Sequence, residues 1–295
     1  FGGCFNSCAL LTSITISDVK EVTLLQSVFQ GCDNLESLAI NKSANIKIAK
    51  KCFAGSRNLK SLSFTGDSVT LSNSFIKDCP VLSHLYVSSK SDFKLLSGML
   101  KGCKSLKIVN IHASSTLELC TNCFKETSIE LAQFDGSLFA ISDECLAGCS
   151  SLKTVSFNSE HDIKITPKMF QECLALETLI VTSESSLYIE KEFMNNSPKL
   201  NDVNIKGKKV IFGDDCFNNC SRLSTFTISC FAQAQIGKRL FKNSHNLSKI
   251  TIEMTTGEDL NAPKFTLNSS LISETKNLKN IIFIGGQIRL SKNKN

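Results

Sequence analysis

The sequence contains no tryptophan, only two tyrosines (Tyr86 and Tyr188) and only four prolines among its 295 residues. Because proteins that bind single-stranded nucleic acid stack bases on aromatic side chains set among basic ones, this composition argues against nucleic-acid binding. The longest apolar runs, such as Ile281 to Ile284, are much shorter than the roughly 20 residues that cross a bilayer. We therefore expect neither a nucleic-acid partner nor membrane insertion by this segment.

Charge and catalytic side chains are also thinly spread. The net charge of +6 comes from 33 basic and 27 acidic residues, with short clusters such as Lys206 to Lys209 that are typical of solvated loops. The four histidines, His84, His112, His161 and His245, are too far apart in the sequence to build a relay with a nucleophile. Since no glycine-rich phosphate loop or paired carboxylate accompanies them, we predict no enzymatic activity, no cofactor and no metal site.

What the sequence does contain is one repeated phrase, Phe-x-x-Cys-x-x-Leu-x-x-Leu-x-Ile, which is clearest at Phe29, Cys32, Leu35, Leu38 and Ile40. We call its Cys position the marker and each copy a rung. Successive markers are 22 to 24 residues apart, with a last step of 31 and with one residue lost near Ile129. The twelve markers are Cys8, Cys32, Ser56, Cys79, Cys103, Thr127, Cys149, Cys173, Ser197, Cys220, Ser244 and Thr275.

The repeat predicts a β-rich leucine-rich-repeat solenoid. Alternating apolar residues predict a short half-buried strand in each rung, and one rung cannot bury its Phe and Leu side chains without a neighbour. A second apolar pair, such as Ile46 and Ile48 before Phe53, predicts a second short strand. We expect a parallel sheet of about twelve strands on the concave face and short helical turns elsewhere. Residues 1–295 are predicted to form a single solenoid with an insertion near residues 254–264.

The wording of the repeat identifies a family. Phe29-Gln-Gly-Cys32 and Phe217-Asn-Asn-Cys220, together with the Ile-x-x-x-x-Phe spacing from Ile48 to Phe53, resemble the BspA-like leucine-rich repeats of surface proteins from oral bacteria and mucosal parasitic protists. The resemblance extends from residue 1 to about residue 290. The Ile-Gly-x-x-Ala-Phe wording of bacterial members is kept only in part, at Ile236 to Phe241, and the richness in Lys, Asn and Ser favours a protist member. The resemblance implies adhesion or host contact.

The fourteen cysteines follow the repeat instead of forming a separate framework. Seven occupy the marker, five directly precede the Phe position, and Cys120 and Cys230 fit neither place. Since Ser and Thr also occur at the marker, we predict buried free thiols that act as small fillers. Cys120 and Cys123 form a lone Cys-x-x-Cys, for which no second pair or histidine cluster suggests a metal or redox role.

Alternation along each strand predicts which side chains face outward. Most outward positions are Ser, Thr or Asn, which is typical of a solvated strand. Two neighbouring rungs differ, because they place His84, Tyr86, Ile108, Asn110 and His112 on the exposed face. We interpret these five residues as a ligand-binding patch for a protein or a glycan.

Two functions remain open at this point. The first is a cell-surface or secreted module that adheres to host matrix, glycan or other cells, which five N-glycosylation sequons, among them Asn195 and Asn219, weakly favour. The second is an intracellular scaffold that holds protein partners, which the unpaired thiols weakly favour. Because Phe1 enters a rung without the preceding apolar pair, we also expect further rungs or a cap before it.

Overall fold

The structure, a computed structural model, describes residues 4–5, 7–53, 56–76, 79–254, 264–268, 275–285 and 287–291. The chain forms two compact units, unit 1 (Phe1–Cys149) and unit 2 (Ser150–Asn295). Each unit is built almost wholly from short parallel strands joined by turns, as period-2 apolar patterns bounded by polar residues predict.

The described residues of unit 1 form eight strands, which pair in parallel with an offset of one rung. Ser13 pairs with Ser37 and Ser37 with Ser61, so each of these steps is 24 residues. Ile108 pairs with Leu131, a step of 23 that confirms the residue lost near Ile129. The strands are β1 (Ser13–Ser17), β2 (Glu21–Leu24), β3 (Ser37–Ile48), β4 (Ser61–Leu71), β5 (His84–Ser89), β6 (Phe93–Leu95), β7 (Ile108–Leu119) and β8 (Leu131–Ile141).

Unit 2 repeats the arrangement. Thr178 pairs with Asp202 24 residues on, and Lys249 pairs with Asn280 at the predicted step of 31. One 3-10 helix, Pro167–Phe170, lies among the turns. The strands are β9 (Thr154–Ser159), β10 (Ile163–Ile165), β11 (Thr178–Ser183), β12 (Ser186–Ile189), β13 (Asp202–Phe212), β14 (Thr225–Gln235), β15 (Lys249–Met254), β16 (Lys264–Asn268), β17 (Asn280–Ile284) and β18 (Gln287–Ser291).

Every rung thus has a first strand, which contains the Leu-x-Ile part of the phrase, and a second strand after a corner. A small side chain fills the corner on the buried side, as at Ser89, which pairs with Gly66 on one side and Ala113 on the other. In β3, β4, β7, β8, β13 and β14, one continuous strand covers both parts. The corner divides the outer surface of each rung into a first-strand face and a second-strand face.

The core of each rung is its Phe, Leu and Ile side chains. Phe29, Leu35, Leu38 and Ile40 have at most 1% of their surface exposed. The ring of Phe29 stacks at 5.4 Å between centroids on that of Phe53 in the next rung. Burial of each such side chain contributes about 1.5–3 kcal/mol, but only where a neighbouring rung covers it, so the stability of this fold depends on contacts between rungs.

A turn links the second strand of each rung to the first strand of the next. Its backbone explains why the third residue of the Phe-x-x-Cys segment is Gly, Asn or Glu in so many rungs. Gly31 and Gly102 have φ of 75° and 74° there, and Asn219 has φ of 57°. This left-handed region suits glycine and, among residues with a side chain, asparagine best. The left-handed backbone conformation of this turn therefore restricts which residue types occur at the third position.

The marker side chain is a hydrogen-bond donor as well as a filler. In at least five rungs it donates to the backbone carbonyl of the Phe position one rung earlier. These contacts are Cys32 Sγ to Phe5 O at 2.9 Å, Cys79 Sγ to Phe53 O at 3.5 Å, Cys149 Sγ to Phe124 O at 3.1 Å, Cys220 Sγ to Met194 O at 3.2 Å, and Ser244 Oγ to Phe217 O at 2.6 Å. The prediction of a purely small filler was incomplete, since Cys, Ser and Thr share a donor hydrogen. The prediction that every marker thiol is buried was also wrong, because Cys8 is exposed and Cys79 and Cys103 are half-buried.

The predicted fold class is confirmed by the strands and their registers. That residues 1–295 form a single solenoid stays a prediction, as do further rungs or a cap before Phe1. The insertion predicted near residues 254–264 lies, from residue 255 to residue 263, outside the described residues.

The part of the chain that the structure describes contains no helix with the length and apolar character needed to span a membrane.

Candidate functional site

The first strands of unit 1 position the candidate site. In β5, Leu85 and Val87 point into the core, with at most 1% of their surface exposed, while His84 and Tyr86 point out. In β7, Val109 is equally buried. The alternation follows from the pleat of a strand, which sends successive side chains to opposite faces.

The structure brings all five predicted residues together on one face. His84 pairs with Ile108, and Tyr86 pairs with Asn110, across β5 and β7. Parallel strands are about 4.8 Å apart, so paired side chains are direct neighbours. His84 and His112 are exposed, and 43% of the surface of Tyr86 is exposed. We call these five residues the first-strand patch.

Strand β8 extends the first-strand patch by three outward residues that the sequence analysis did not include. Leu131, Gln133 and Asp135 pair with Ile108, Asn110 and His112, respectively. All three are at least partly exposed. The sequence shows that this rung has lost one residue near Ile129. Alternation of inward and outward side chains, started from the shortened rung, identifies these three outward positions.

Both imidazoles of the patch lie close to a serine hydroxyl. Ser83 Oγ lies 3.1 Å from the backbone carbonyl of Lys60 and 2.8 Å from His84 Nδ1, and Ser114 Oγ lies 3.1 Å from His112 Nε2. The tautomer of each imidazole decides which atom of the pair donates, since a serine hydroxyl can donate or accept. The second ring nitrogen of His84, Nε2, can form a hydrogen bond with a ligand.

Asn110 is the least satisfied member of the patch. Its Oδ1 atom is shielded from solvent and accepts no hydrogen bond within the described residues. A shielded polar atom without a partner costs about 1–3 kcal/mol, so Asn110 does not stabilise this sheet through its amide. A side chain that is unfavourable for folding at an outward position is more easily explained by binding than by stability.

The first-strand face of unit 1 is almost free of formal charge. Its six first strands present eighteen outward positions, all of them described, and Asp135 is the one Asp, Glu, Lys or Arg among them. The corresponding eighteen positions of unit 2, on β9, β11, β13, β14, β15 and β17, include Asp202, Lys206, Lys249 and Glu253. The absence of lysine and arginine is therefore a property of the unit 1 face and not of the repeat in general.

The charged side chains lie mainly on the second strands and turns. There, Lys and Glu side chains of adjacent rungs form ion pairs. Lys47 Nζ lies 3.0 Å from Glu21 Oε1, and Lys94 Nζ lies 2.6 Å from Glu118 Oε1. These hydrogen-bonded pairs lower the pKa of the Glu21 and Glu118 carboxyl groups. Both are exposed pairs, which contribute little to stability; their arrangement keeps charge away from the first-strand face.

The cysteines show no arrangement that points to redox or metal chemistry. Burial raises the pKa of Cys52 and of Cys216 to about 12, and that of Cys123 well above its ordinary value. Their thiolate forms are therefore scarce at neutral pH. Cys230, which the repeat left unexplained, is the buried corner residue of its rung and pairs with Gly207. Among the described residues, no three His, Cys, Asp or Glu side chains converge on a common metal position.

Comparison with known proteins gives a family match and several similar solved structures, including two bacterial leucine-rich proteins and CroV588. The family described as a BspA type leucine rich repeat region matches residues 2–94, 94–196 and 163–272, and that family description comprises six copies. No curated protein matches the chain by sequence.

The three structures are all leucine-rich proteins. A leucine rich cell surface protein from Faecalibacterium prausnitzii A2-165 is 15% identical over 92% of this chain and 88% of its own, with a TM-score of 0.31. A leucine-rich repeat protein from Bacteroides ovatus ATCC 8483 is 18% identical over 96% of this chain and 86% of its own, with a TM-score of 0.37. CroV588, a circular leucine-rich repeat protein, is 13% identical over 96% of this chain and 50% of its own, with a TM-score of 0.36.

Proposed function

Because the chain belongs to the BspA-type leucine-rich repeat family, we propose that it is a non-enzymatic binding module of the cell surface or of a secreted protein. Its ligand, a protein or glycan of host matrix or of another cell, contacts the first-strand patch. The observation that carries this proposal is the register of β5 and β7, which sets His84 and Tyr86 beside Ile108 and Asn110 on one exposed face.

The exposure of these side chains supports binding. Tyr86 and Ile108 contribute little to the core, because the inward positions of both strands are filled by Leu85, Val87 and Val109. An exposed tyrosine beside a half-buried aliphatic side chain is a frequent composition of a binding hot spot. A row of Ser and Thr would have formed the strands equally well, as it does at Ser61, Ser63 and Thr65 in β4.

Two serine and histidine pairs lie at the patch, Ser83 with His84 and Ser114 with His112. In a hydrolase relay a carboxylate, hydrogen-bonded to the second ring nitrogen, orients the imidazole that accepts the proton of the serine. Among the described residues, neither imidazole is hydrogen-bonded to a carboxylate, which supports a non-catalytic role for both pairs.

Two features bear on the compartment. The sequon residues Asn195, Asn219 and Asn246 are exposed and accessible in the fold. Burial of most thiols, with pKa values raised to about 12 for Cys52 and Cys216, protects them from oxidation, so free thiols are compatible with an oxidising environment. Thiols that are not joined in disulfides therefore do not restrict the protein to a reducing compartment.

Adhesion of coated beads to mucosal epithelial cells tests the proposal. The variant Tyr86→Ser with Ile108→Thr should bind cells about tenfold less than the wild type, as for loss of a small hot spot. A matched control is Thr225→Ser with Thr227→Ser, at equivalent outward positions of β14 in unit 2. Adhesion that is equal for the patch variant and for the wild type would contradict the proposal.

Analysis of the native protein tests the compartment separately. N-glycans on any of the sequons would exclude the intracellular scaffold, since these are added in the secretory pathway. Full recovery of the protein from the cytosol, with all sequons unmodified, would contradict a surface location.

A further inference from the structure

We propose that the first-strand face of unit 1 binds a neutral oligosaccharide, with Tyr86 as the stacking platform for one sugar ring. This inference rests on the proposed function and specifies the chemical class of its ligand. It follows from the charge of the face, from the order of side chains across the strands and from the unsatisfied amide of Asn110.

Charge complementarity gives the first argument. An anionic ligand, such as a sulfated or sialylated glycan, is normally held by Lys or Arg side chains. None of the eighteen outward first-strand positions of unit 1, all of which are described, is Lys or Arg. The chain carries 33 such residues, so their exclusion from this face favours a ligand without charge.

The order of side chains across the strands gives the second argument. Ser63, Tyr86, Asn110 and Gln133 are register partners on β4, β5, β7 and β8. A hydroxyl, an aromatic ring and two amides therefore stand in one row, spaced about 4.8 Å apart. A sugar ring has an apolar face of C–H groups that packs on an aromatic ring and hydroxyls at its rim that pair with amides.

Amide groups suit such a ligand because each has donor and acceptor atoms. Neighbouring hydroxyls of a sugar also donate and accept, so one amide can satisfy two of them. Asn110 Oδ1, which accepts no hydrogen bond within the described residues, is available for this pairing after a rotation of its side chain. His84 Nε2 adds a further polar atom beside the tyrosine, while His84 Nδ1 lies 2.8 Å from Ser83 Oγ.

A protein ligand fits the same row less well. Protein interfaces centre on several aromatic, Met or Arg side chains with an apolar core. The first-strand face offers one tyrosine, with Ile108 and Leu131 beside it, among Ser, Thr and Asn. Protein binding is therefore the alternative that the experiment must distinguish.

The experiment uses the whole chain on an array of immobilised glycans. The probes are neutral oligosaccharides of hexoses and N-acetylhexosamines, and matched sulfated and sialylated chains. We expect binding to a subset of the neutral probes, with an affinity that does not fall as salt is raised, since no ion pairs are formed. Tyr86→Phe should bind within about threefold of the wild type, and Tyr86→Ala about tenfold less.

Treatment of the cells in the bead assay separates this inference from the proposed function. Periodate oxidation, which destroys sugar diols, should abolish adhesion, whether the sugar is carried by a protein or by a lipid. Adhesion that trypsin removes and periodate does not would overturn the neutral glycan and leave a binding module for protein. Binding confined to anionic probes, or equal binding by wild type and Tyr86→Ala, would also overturn the inference.

Discussion

The hydroxyl group of Ser244 donates a hydrogen bond of 2.6 Å to the backbone carbonyl of Phe217, which lies 27 residues earlier and one rung away. Cys220 Sγ makes the equivalent contact with the carbonyl of Met194 at 3.2 Å. The marker column therefore connects rungs by side-chain hydrogen bonds in addition to the strand ladders. Cys, Ser and Thr share the donor hydrogen for this contact, although the marker hydroxyl of Ser56 is buried without a hydrogen-bond partner among the described residues.

The marker hydrogen bond can be tested at Cys220, which is fully buried. Cys220→Ser keeps a donor and should change the free energy of unfolding by less than about 1 kcal/mol. Cys220→Ala has a similar volume but no donor, and should cost about 1–3 kcal/mol because the carbonyl of Met194 loses its buried partner. Urea unfolding of the three proteins measures the difference, and an alanine variant as stable as the serine variant would disprove the donor role.

Truncation of a core leucine provides a reference for the size of the loss in stability at the marker. Leu106 is fully buried, so Leu106→Ala should lower the free energy of unfolding by about 2–5 kcal/mol through the cavity that it leaves. Cys103→Ser, in the same rung, should cost much less, since Ser already occupies this position at Ser56 and Ser197. Equal losses for the two variants in urea unfolding would contradict this account of the marker.

Alkaline pH should destabilise the fold through its buried thiols. Burial raises the pKa of Cys216 from 9.0 to about 12, and that of Cys220 likewise to about 12. Between these values the unfolded chain loses the thiol proton while the folded chain retains it, so stability is complete below pH 9 and falls as pH rises.

The slope is about 1.4 kcal/mol per pH unit for each such thiol. Urea midpoints measured from pH 7 to about pH 10 should therefore decrease above pH 9. Cys216→Ser should show a shallower decrease than the wild type. A midpoint that stays constant above pH 9 would mean that these thiols are not buried as the structure has them.

Asn110 should separate stability from binding. Asn110→Val removes a shielded amide oxygen without a partner and introduces a side chain that favours strands, so the free energy of unfolding should stay unchanged or rise by about 1 kcal/mol. Bead adhesion by the same variant should fall. A variant that loses stability and keeps adhesion would show that Asn110 serves the fold and not the ligand.

The sequence predicted much of this molecule because the repeat is regular. Fixed spacing between Leu38, Ile40 and their counterparts determined the strands, and alternation determined that Tyr86 and Asn110 face outward. The structure confirms the strand registers and places the five predicted patch residues together. The binding role of those residues stays a prediction.

Other features depend on contacts between rungs that spacing does not reveal. The marker donor was missed because the position of the Met194 carbonyl opposite Cys220 depends on how adjacent turns stack. The row of Leu131, Gln133 and Asp135 was missed because it follows a shortened rung, in which the outward positions shift by one residue. The shielding of Asn110 Oδ1 and its lack of a hydrogen-bond partner among the described residues have no signal in the repeat itself.

A lysine scan of the two first-strand faces, read by adhesion of coated beads to epithelial cells, tests the central claim most directly. Lysine is placed singly at Ser63, Asn110 and Gln133 in unit 1, and at the matched outward positions Ser156 and Thr227 in unit 2. We predict a loss of about tenfold or more for the unit 1 variants, which introduce charge into an uncharged binding surface, and adhesion close to that of the wild type for the unit 2 variants. Equal losses in both units, or no loss at Asn110, would contradict the assignment of ligand binding to the first-strand patch.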